Sequence, residues 1–329
     1  MMPTVFGALR RIALAPSLAE VSYAKRGLVA AAPAVAARLE AIPRAVIVGF
    51  EAGIEARDLQ EIEWRLHLLD EELRGFGYEG ATMALSVLDR MLPSRRSRTR
   101  ELLLGPAQPF MFLTYIGIGF AMARLPRARW KGILPDLGDL PYYPDISWLA
   151  VDGYGFDLAY FHPERWVHQQ RVPAPYPWLG RSDYFPRAVD QGIGRALWFL
   201  YGADVTAVTA AVRGFAAARQ PDLWSGVGLA AAFAGAATPA DLARLAEWAG
   251  DHRTHLAQGA AFAAKARTFA GLDPQHTDEA LRALTGLGTA DAVALTDEAI
   301  AAADPDESAV VYEEWRRQIR RRFALDRAS

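Results

Sequence analysis

Gly153-Tyr154-Gly155-Phe156, followed by Gln191-Gly192-Ile193-Gly194-Arg195-Ala196, is the stretch on which the reading of this chain turns, because an earlier pair matches it in order and spacing. The earlier pair is Gly75-Phe76-Gly77-Tyr78 and Tyr115-Ile116-Gly117-Ile118-Gly119-Phe120-Ala121. Gly75 to Gly117 spans 42 residues and Gly153 to Gly192 spans 39. A third Gly-x-Gly stands at Ser225-Gly226-Val227-Gly228-Leu229-Ala230. Before an Ala-rich apolar run, such glycines have two uses. They can start a helix whose backbone approaches a neighbour closely, or they can open backbone N–H groups to an anion. A dinucleotide fingerprint would need a preceding strand and a third glycine three residues on. None of the copies supplies these, so close helix packing is the reading taken. The matched order also suggests pseudo-repeats at about 55–125 and 145–200, whose glycines would meet near one aromatic cavity. Matches this short and glycine-rich also arise by chance.

Composition bounds the rest. The chain has 329 residues, 52% hydrophobic and 11% aromatic, enough for one large domain or two ordinary ones. A net charge of −2 gives no general attraction to nucleic acid or anionic lipid. Cysteine is absent, which excludes disulfides and thiolate-bound metal. Arg10-Arg11 breaks the first apolar stretch before a secretory h-region forms, so a cytoplasmic location is expected. Residues 102–123 carry no charge, but Gly105-Pro106-Ala107-Gln108-Pro109 interrupts them. Phe110–Ala123 therefore reads as a buried core helix rather than a transmembrane segment; peripheral membrane contact stays open.

The pattern is mainly α: a compact multi-helix domain with a Pro/aromatic-rich loop segment and a C-terminal helical extension. Residues 1–50, punctuated by Pro16, Pro33 and Pro43, read as short helices or turns. Leu59, Ile62, Leu66, Leu69 and Leu73 form one stripe, predicting a helix from Glu55 to Arg74 ended by Gly75 and Gly77. A second helix is expected over Ala81–Met91, stopped near Pro93, before a basic loop Arg95–Arg100. Residues 126–186 hold nine of the twenty prolines beside many Trp and Tyr, which predicts an ordered, loop-rich segment forming a pocket wall. Helices follow at Ala196–Leu200, Val205–Phe215 and Leu223–Phe233. Thr238-Pro239-Ala240-Asp241 starts another with a hydroxyl cap and Pro at the first position. Thr277-Asp278-Glu279 opens a further one, and residues 308–324 form the last.

Trp148-Leu-Ala-Val-Asp152-Gly-Tyr-Gly-Phe156, Ala188-Val-Asp190-Gln-Gly-Ile-Gly-Arg195-Ala-Leu-Trp198-Phe199 and Asp222-Leu-Trp224-Ser-Gly-Val-Gly-Leu229 resemble the family known as domain of unknown function 1702. Gly77-Tyr-Glu79-Gly80 with Leu85–Pro93, and Tyr115-Ile-Gly-Ile-Gly119 with Ala123-Arg-Leu-Pro126, fit the same family. The departures are Asp157 and Phe120, where many members carry His and Trp. The motifs cover roughly residues 5–237, which predicts a family-like core over 1–237 and an extension over 238–329. The resemblance implies a role in bacterial natural-product biosynthesis, since members accompany enediyne and other clusters whose polyketide synthases make a long polyene. It does not establish the chemical step.

The glycine motifs place acids beside them. Asp152, Asp190 and Glu79 are candidate proton donors or acceptors, with Asp222 a weaker one; each also reads as a capping or loop carboxylate. His162 joins the catalytic candidates because it lies in the aromatic loop region, as does His168. Tyr154, Phe156, Trp198, Trp224 and Tyr115 are candidate walls of a substrate pocket, where rings pack a conjugated chain and stabilise a developing cation. Arg195 would bind a carboxylate or pair with Asp190. Glu63, His67 and Glu71 share a predicted helix face, but this reads as a solvated charged face, as does the Asp251, His252, His255 cluster. No metal or other cofactor is therefore expected. Ser225 lacks a nucleophile-elbow frame, and the acidic motifs of ordinary terpene cyclases are absent. Two functions fit. One is an enzyme that isomerises or cyclises a polyene or isoprenoid-like chain by acid–base chemistry. The other is a non-catalytic chaperone or carrier sheltering such a chain for other biosynthetic enzymes. Nucleic acid is not an expected partner.

Overall fold

Residues two apart on an α-helix lie about 200° apart around its axis. A Gly-x-Gly pair inside a helix therefore bares backbone on two opposite faces. The chain uses its glycines this way. The computed structural model describes residues 18–30, 32–92, 97–303 and 310–325. Among these there is no strand; the β pairing present is an isolated bridge between Trp178 and Arg181. The described residues up to Leu28 and Ala37–Tyr154 make one unit, and Val29–Ala36 with those from Gly155 onward make a second. The division falls inside the helix Trp148–Phe161.

The first unit is built from α1 (Pro33–Glu55) from Ala37 onward, α2 (Leu59–Leu66), α3 (Glu71–Met91), α4 (Arg98–Leu103), α5 (Met111–Arg124) and the start of α6 (Trp148–Phe161). A Cβ added at Gly49 would strike the Gly77 carbonyl, and one at Gly80 the Val46 carbonyl, so α1 and α3 touch backbone to backbone. On the other side of α3, Gly117 of α5 closes on the Glu79 carbonyl. Gly119 closes on the Ala150 carbonyl, and Gly153 of α6 answers against Ile116.

The second unit repeats the device. It contains the rest of α6, then α7 (Phe185–Leu200), α8 (Val205–Gly214), α9 (Gln220–Ala234), α10 (Pro239–Trp248), α11 (Arg253–Phe269), α12 (Gln275–Thr285), α13 (Thr289–Ala301) and α14 (Val311–Leu325). Gly155 meets the Val189 carbonyl of α7. Gly194 of α7 meets Leu223, and Gly226 of α9 meets Gln191 in return. Gly228 then meets Leu256 of α11, answered by Gly259 against Ser225. Each interior glycine costs about 1 kcal/mol of helix propensity relative to alanine. The close approach it permits recovers that through dispersion and Cα–H···O contacts. Large side chains seal the unit around these seams. Trp198 is fully buried, and its indole N–H donates to the Gly235 carbonyl at 3.0 Å, just past the end of α9. Arg267 donates to Phe233 O at 2.8 Å at the same end.

Several expectations change. The leucine stripe does not make one helix from Glu55 to Arg74. The chain breaks after α1, Asp58 accepts the Glu61 N–H at 2.9 Å to cap α2, and a turn follows Leu66. Gly75 and Gly77 lie inside α3, because their bare backbone is needed there rather than at a helix end. The Gly-x-Gly motifs sit within helices; Gly117, Gly119, Gly153, Gly155, Gly194, Gly226 and Gly228 meet the backbone of a neighbouring helix, whereas Gly75 and Gly77 seat side chains of Leu113 and Phe110 and of Leu66 and Leu69. Pro43 is interior to α1. α6 runs through the middle of the segment read as loop-rich, leaving irregular stretches on either side, and α7 begins eleven residues earlier than the expected Ala196. Thr238 does cap α10, accepting the Asp241 N–H at 3.2 Å. Arg98–Arg100 open α4 instead of continuing a loop, while Arg95, Arg96, Pro93 and Pro16 fall outside the described residues. The Phe110–Ala123 core helix is present as α5, buried along most of its length. No helix among the described residues is long and apolar enough to cross a membrane.

Candidate functional site

The candidate residues divide between the units. In the first, Glu79 on α3 is 2% exposed and Asp152 on α6 is 0% exposed. Their positions follow from α5: Gly117 presses on the Glu79 backbone, while Gly119 and Ile116 press on the turn that carries Asp152. Tyr115, on the same turn of α5, is fully buried, and burial pushes its hydroxyl pKa up. That hydroxyl has no hydrogen-bond partner among the described residues. Tyr154 stands edge-on to Trp130 with ring centroids 4.9 Å apart. The Trp130 N–H is held by the Met122 carbonyl at 3.0 Å. The first unit also carries a cleft of about 380 Å³, floored by Leu59, Ile62, Leu85 and Leu88 and rimmed by Asp58 and Arg98. None of the candidate residues lines it.

In the second unit Phe156 stacks on Tyr160 at 5.4 Å and meets Phe199 edge-on at 5.5 Å. The Arg195 guanidinium lies 5.0 Å from the Phe156 ring centre. Asp190 does not take Arg195 as its partner. Arg219, which precedes α9, grips its carboxylate through Nε at 3.0 Å and Nη2 at 2.5 Å. The reason is helical geometry: Asp190 and Arg195 are five residues apart on α7, whereas Arg219 approaches from a neighbouring element. Burial pushes Asp190 up, against the pull of that arginine. Trp224 is fully buried. His162 and His168 are exposed after α6, with His168 ending a π-helical turn over Glu164–His168. Glu63 and His67 stay together through a His67 Nδ1···Glu63 O contact of 2.8 Å, but Glu71 belongs to a different helix, so the three share no face. Among the described residues no three His, Asp or Glu side chains converge as metal ligands.

Sequence reading missed a buried polar cluster in the second unit. Arg316 of α14 is 0% exposed. Its Nη1 donates to the Tyr184 hydroxyl at 2.6 Å and to Glu313 at 2.8 Å. Its Nη2 lies 2.9 Å from Asp222 and its Nε donates to Gln258 at 3.1 Å. Ser225 donates to the same Gln258 oxygen at 2.9 Å. Arg187 bridges Asp222 at 2.9 Å and Glu313 at 3.0 Å, and Arg320 reaches Glu313 at 2.7 Å. These guanidiniums hold the Glu313 carboxyl well below the usual carboxylate range despite its burial. Arg320 stands in the Arg320-Arg321-Arg322 run near the end of α14. The signal available was the spacing of Glu313, Arg316 and Arg320, which places three charges along one face of a helix.

The chain is a helical protein whose seams are built on glycines inside its helices. The chain belongs to the family described as protein of unknown function (DUF1702), whose model matches residues 5–323. The match runs past residue 237, where the quoted motifs end, and takes in α14 with its arginines. No curated protein and no solved structure matches the chain.

Proposed function

We propose that the protein is a natural-product biosynthetic enzyme that acts on a hydrophobic polyene or isoprenoid-like chain by acid–base isomerisation or cyclisation. The observation supporting this is Asp152: a carboxyl with no solvent exposure, on a helix that also carries Trp148 and Tyr154. Burying a carboxyl costs free energy that its partners must compensate, and a dry acid suits alkene protonation because water would quench the cation. In the proposed step the Asp152 carboxyl gives its proton to one alkene carbon. A carbocation forms, and the aromatic rings stabilise it. Loss of a proton from a neighbouring carbon to a carboxylate, with Glu79 the first candidate, restores neutrality and leaves an isomer or a ring. No oxidant or co-reactant is consumed.

The test incubates purified protein with candidate polyenes and prenyl diphosphates. Turnover that disappears in Asp152→Asn, with circular dichroism and melting temperature preserved, supports the reading. Tight binding with no product under any condition overturns it in favour of a carrier that shelters the chain. Full turnover in Asp152→Asn removes Asp152 from the mechanism.

A further inference from the structure

Among the described residues, the arginine cluster of the second unit is short of acceptors. Three guanidiniums, those of Arg187, Arg316 and Arg320, face two carboxylates, those of Asp222 and Glu313. Asp190 cannot make up the difference, because Arg219 occupies it. Buried polar atoms in folded proteins nearly always find partners. Here three side-chain nitrogens on the facing sides of α11 and α14 find none among the described residues: Gln258 Nε2, Arg320 Nη1 and His255 Nδ1. Gln258 is 0% exposed, and its oxygen is already taken by Arg316 and Ser225. Its amide group therefore has donors left and nothing to give them to. Burial, followed by the neighbouring Arg316, pushes the Arg320 guanidinium below its ordinary pKa, as expected for a cation without enough counter-charge. The cluster grades outward from Arg316 at 0% side-chain exposure to Arg320 at 13%, so it has a side open to solvent. His252 stands beside His255 on that side, with ring centroids 6.0 Å apart.

We propose that Arg320, His255 and Gln258 form an oxyanion-binding site that takes a carboxylate or phosphate group. Unsatisfied donors around a surplus guanidinium are the arrangement that holds such a group. The inference does not depend on the proposed reaction. Binding would be linked to pH. His255 is held down to about 3 by burial, then by Arg320 and Arg316 of α14 and by His252, with Asp222 of α9 acting in the opposite sense. A bound anion beside the ring favours its protonated form, so affinity rises as pH falls, by at most about tenfold per pH unit.

The experiment titrates the full chain with sodium phosphate, and separately with sodium acetate, at constant ionic strength in a buffer without other small anions. It follows melting temperature and the His255 ring resonances. Saturable binding of either ion, with a His255 shift toward the protonated form, is the expected result; which ion binds more tightly distinguishes phosphate from carboxylate recognition. Arg320→Gln should weaken it tenfold or more, while Arg317→Gln on the exposed side of α14 leaves it unchanged. His255→Asn should bind with a flatter pH dependence, leaving only that of the ion's own ionisation. Absence of saturation with both ions, or undiminished binding in folded Arg320→Gln, overturns the proposal. So does a crystal grown in phosphate that shows only water on Arg320 Nη1 and Gln258 Nε2.

Discussion

Gly226→Ala isolates what the glycine motifs do. An alanine Cβ there would lie 2.7 Å from the Arg195 nitrogen and closer still to the Gln191 carbonyl oxygen. Both atoms belong to the backbone of α7, so neither can rotate away. Restoring ordinary contact with the Gln191 oxygen requires α7 and α9 to separate by about 1.5 Å or more, since non-bonded atoms prefer 3.5–4.0 Å. A gap of that size forfeits about half of each atom-pair attraction of about 0.1–0.2 kcal/mol. Over roughly 40 pairs along the seam the loss is about 2–3 kcal/mol, and strain from overpacking adds about 1 kcal/mol or more. Helix propensity returns about 1 kcal/mol. The net cost is about 2–3 kcal/mol, which lowers the melting temperature of a unit this size by roughly 4–12 °C. Gly214→Ala is the control. It is exposed at the end of α8, and the nearest atom to its added Cβ is the Gln170 side-chain nitrogen at 3.9 Å. That variant should melt at or slightly above the parent temperature. Thermal unfolding by circular dichroism reads both. If Gly226→Ala melts within 1 °C of the parent, the seam is not built on backbone contact and the account of the motif fails.

Arg316→Met should cost about 3 kcal/mol, because it removes the fully buried partner of Asp222, Glu313 and the Tyr184 hydroxyl and leaves the two carboxylates to Arg187 and Arg320; urea unfolding checks this, and Arg187→Met, whose guanidinium is 40% exposed, should cost less. Acid should weaken the second unit in two stages. His255, at about 3 when folded, lies below its unfolded value near 6.5, so its contribution is complete above 6.5 and falls by at most about 1.4 kcal/mol per pH unit as pH drops toward 3. Glu313, held well below the usual range, adds a second loss once pH falls through the ordinary carboxylate region near 4.3. His255→Gln should flatten the first stage alone in melting curves from pH 7 to 4. Thr238→Ala should cost about 1 kcal/mol by removing the cap of α10, read by the same unfolding assay.

Periodicity and capping made the helical class legible, as α5, α8 and α10 show. Thr238 and Pro239 mark a helix start by local chemistry, and local chemistry is what a sequence displays. The glycines were harder. Gly75 and Gly77 look like a helix stop because glycine commonly ends helices. Whether a glycine ends a helix or seats one depends on what arrives from elsewhere in the chain. For Gly77 that is Gly49, twenty-eight residues earlier, and no local pattern announces it. The same limit explains the pairing of Asp190. Arg195 is near in sequence but five positions along the same helix, while Arg219 reaches the carboxylate from another element.

The paired use of glycine bears on function through its price in side-chain volume. At each seam the chain gives up a Cβ to bring two backbones together, and Glu79, Asp152 and Asp190 all lie within a few residues of such a point. Rigid backbone on two sides fixes where a neighbouring carboxyl sits more tightly than a flexible loop would. Asp190 shows one outcome, a carboxylate clamped by a bidentate arginine and committed to structure. Asp152 shares the burial and the adjacent glycine seam, on a helix whose neighbours are aromatic. If both were structural alone, replacing either carboxylate with its amide would trade activity and stability together. A folded Asp152→Asn protein without turnover, beside an Asp190→Asn protein whose activity falls only as far as its stability, would separate a working acid from a structural one.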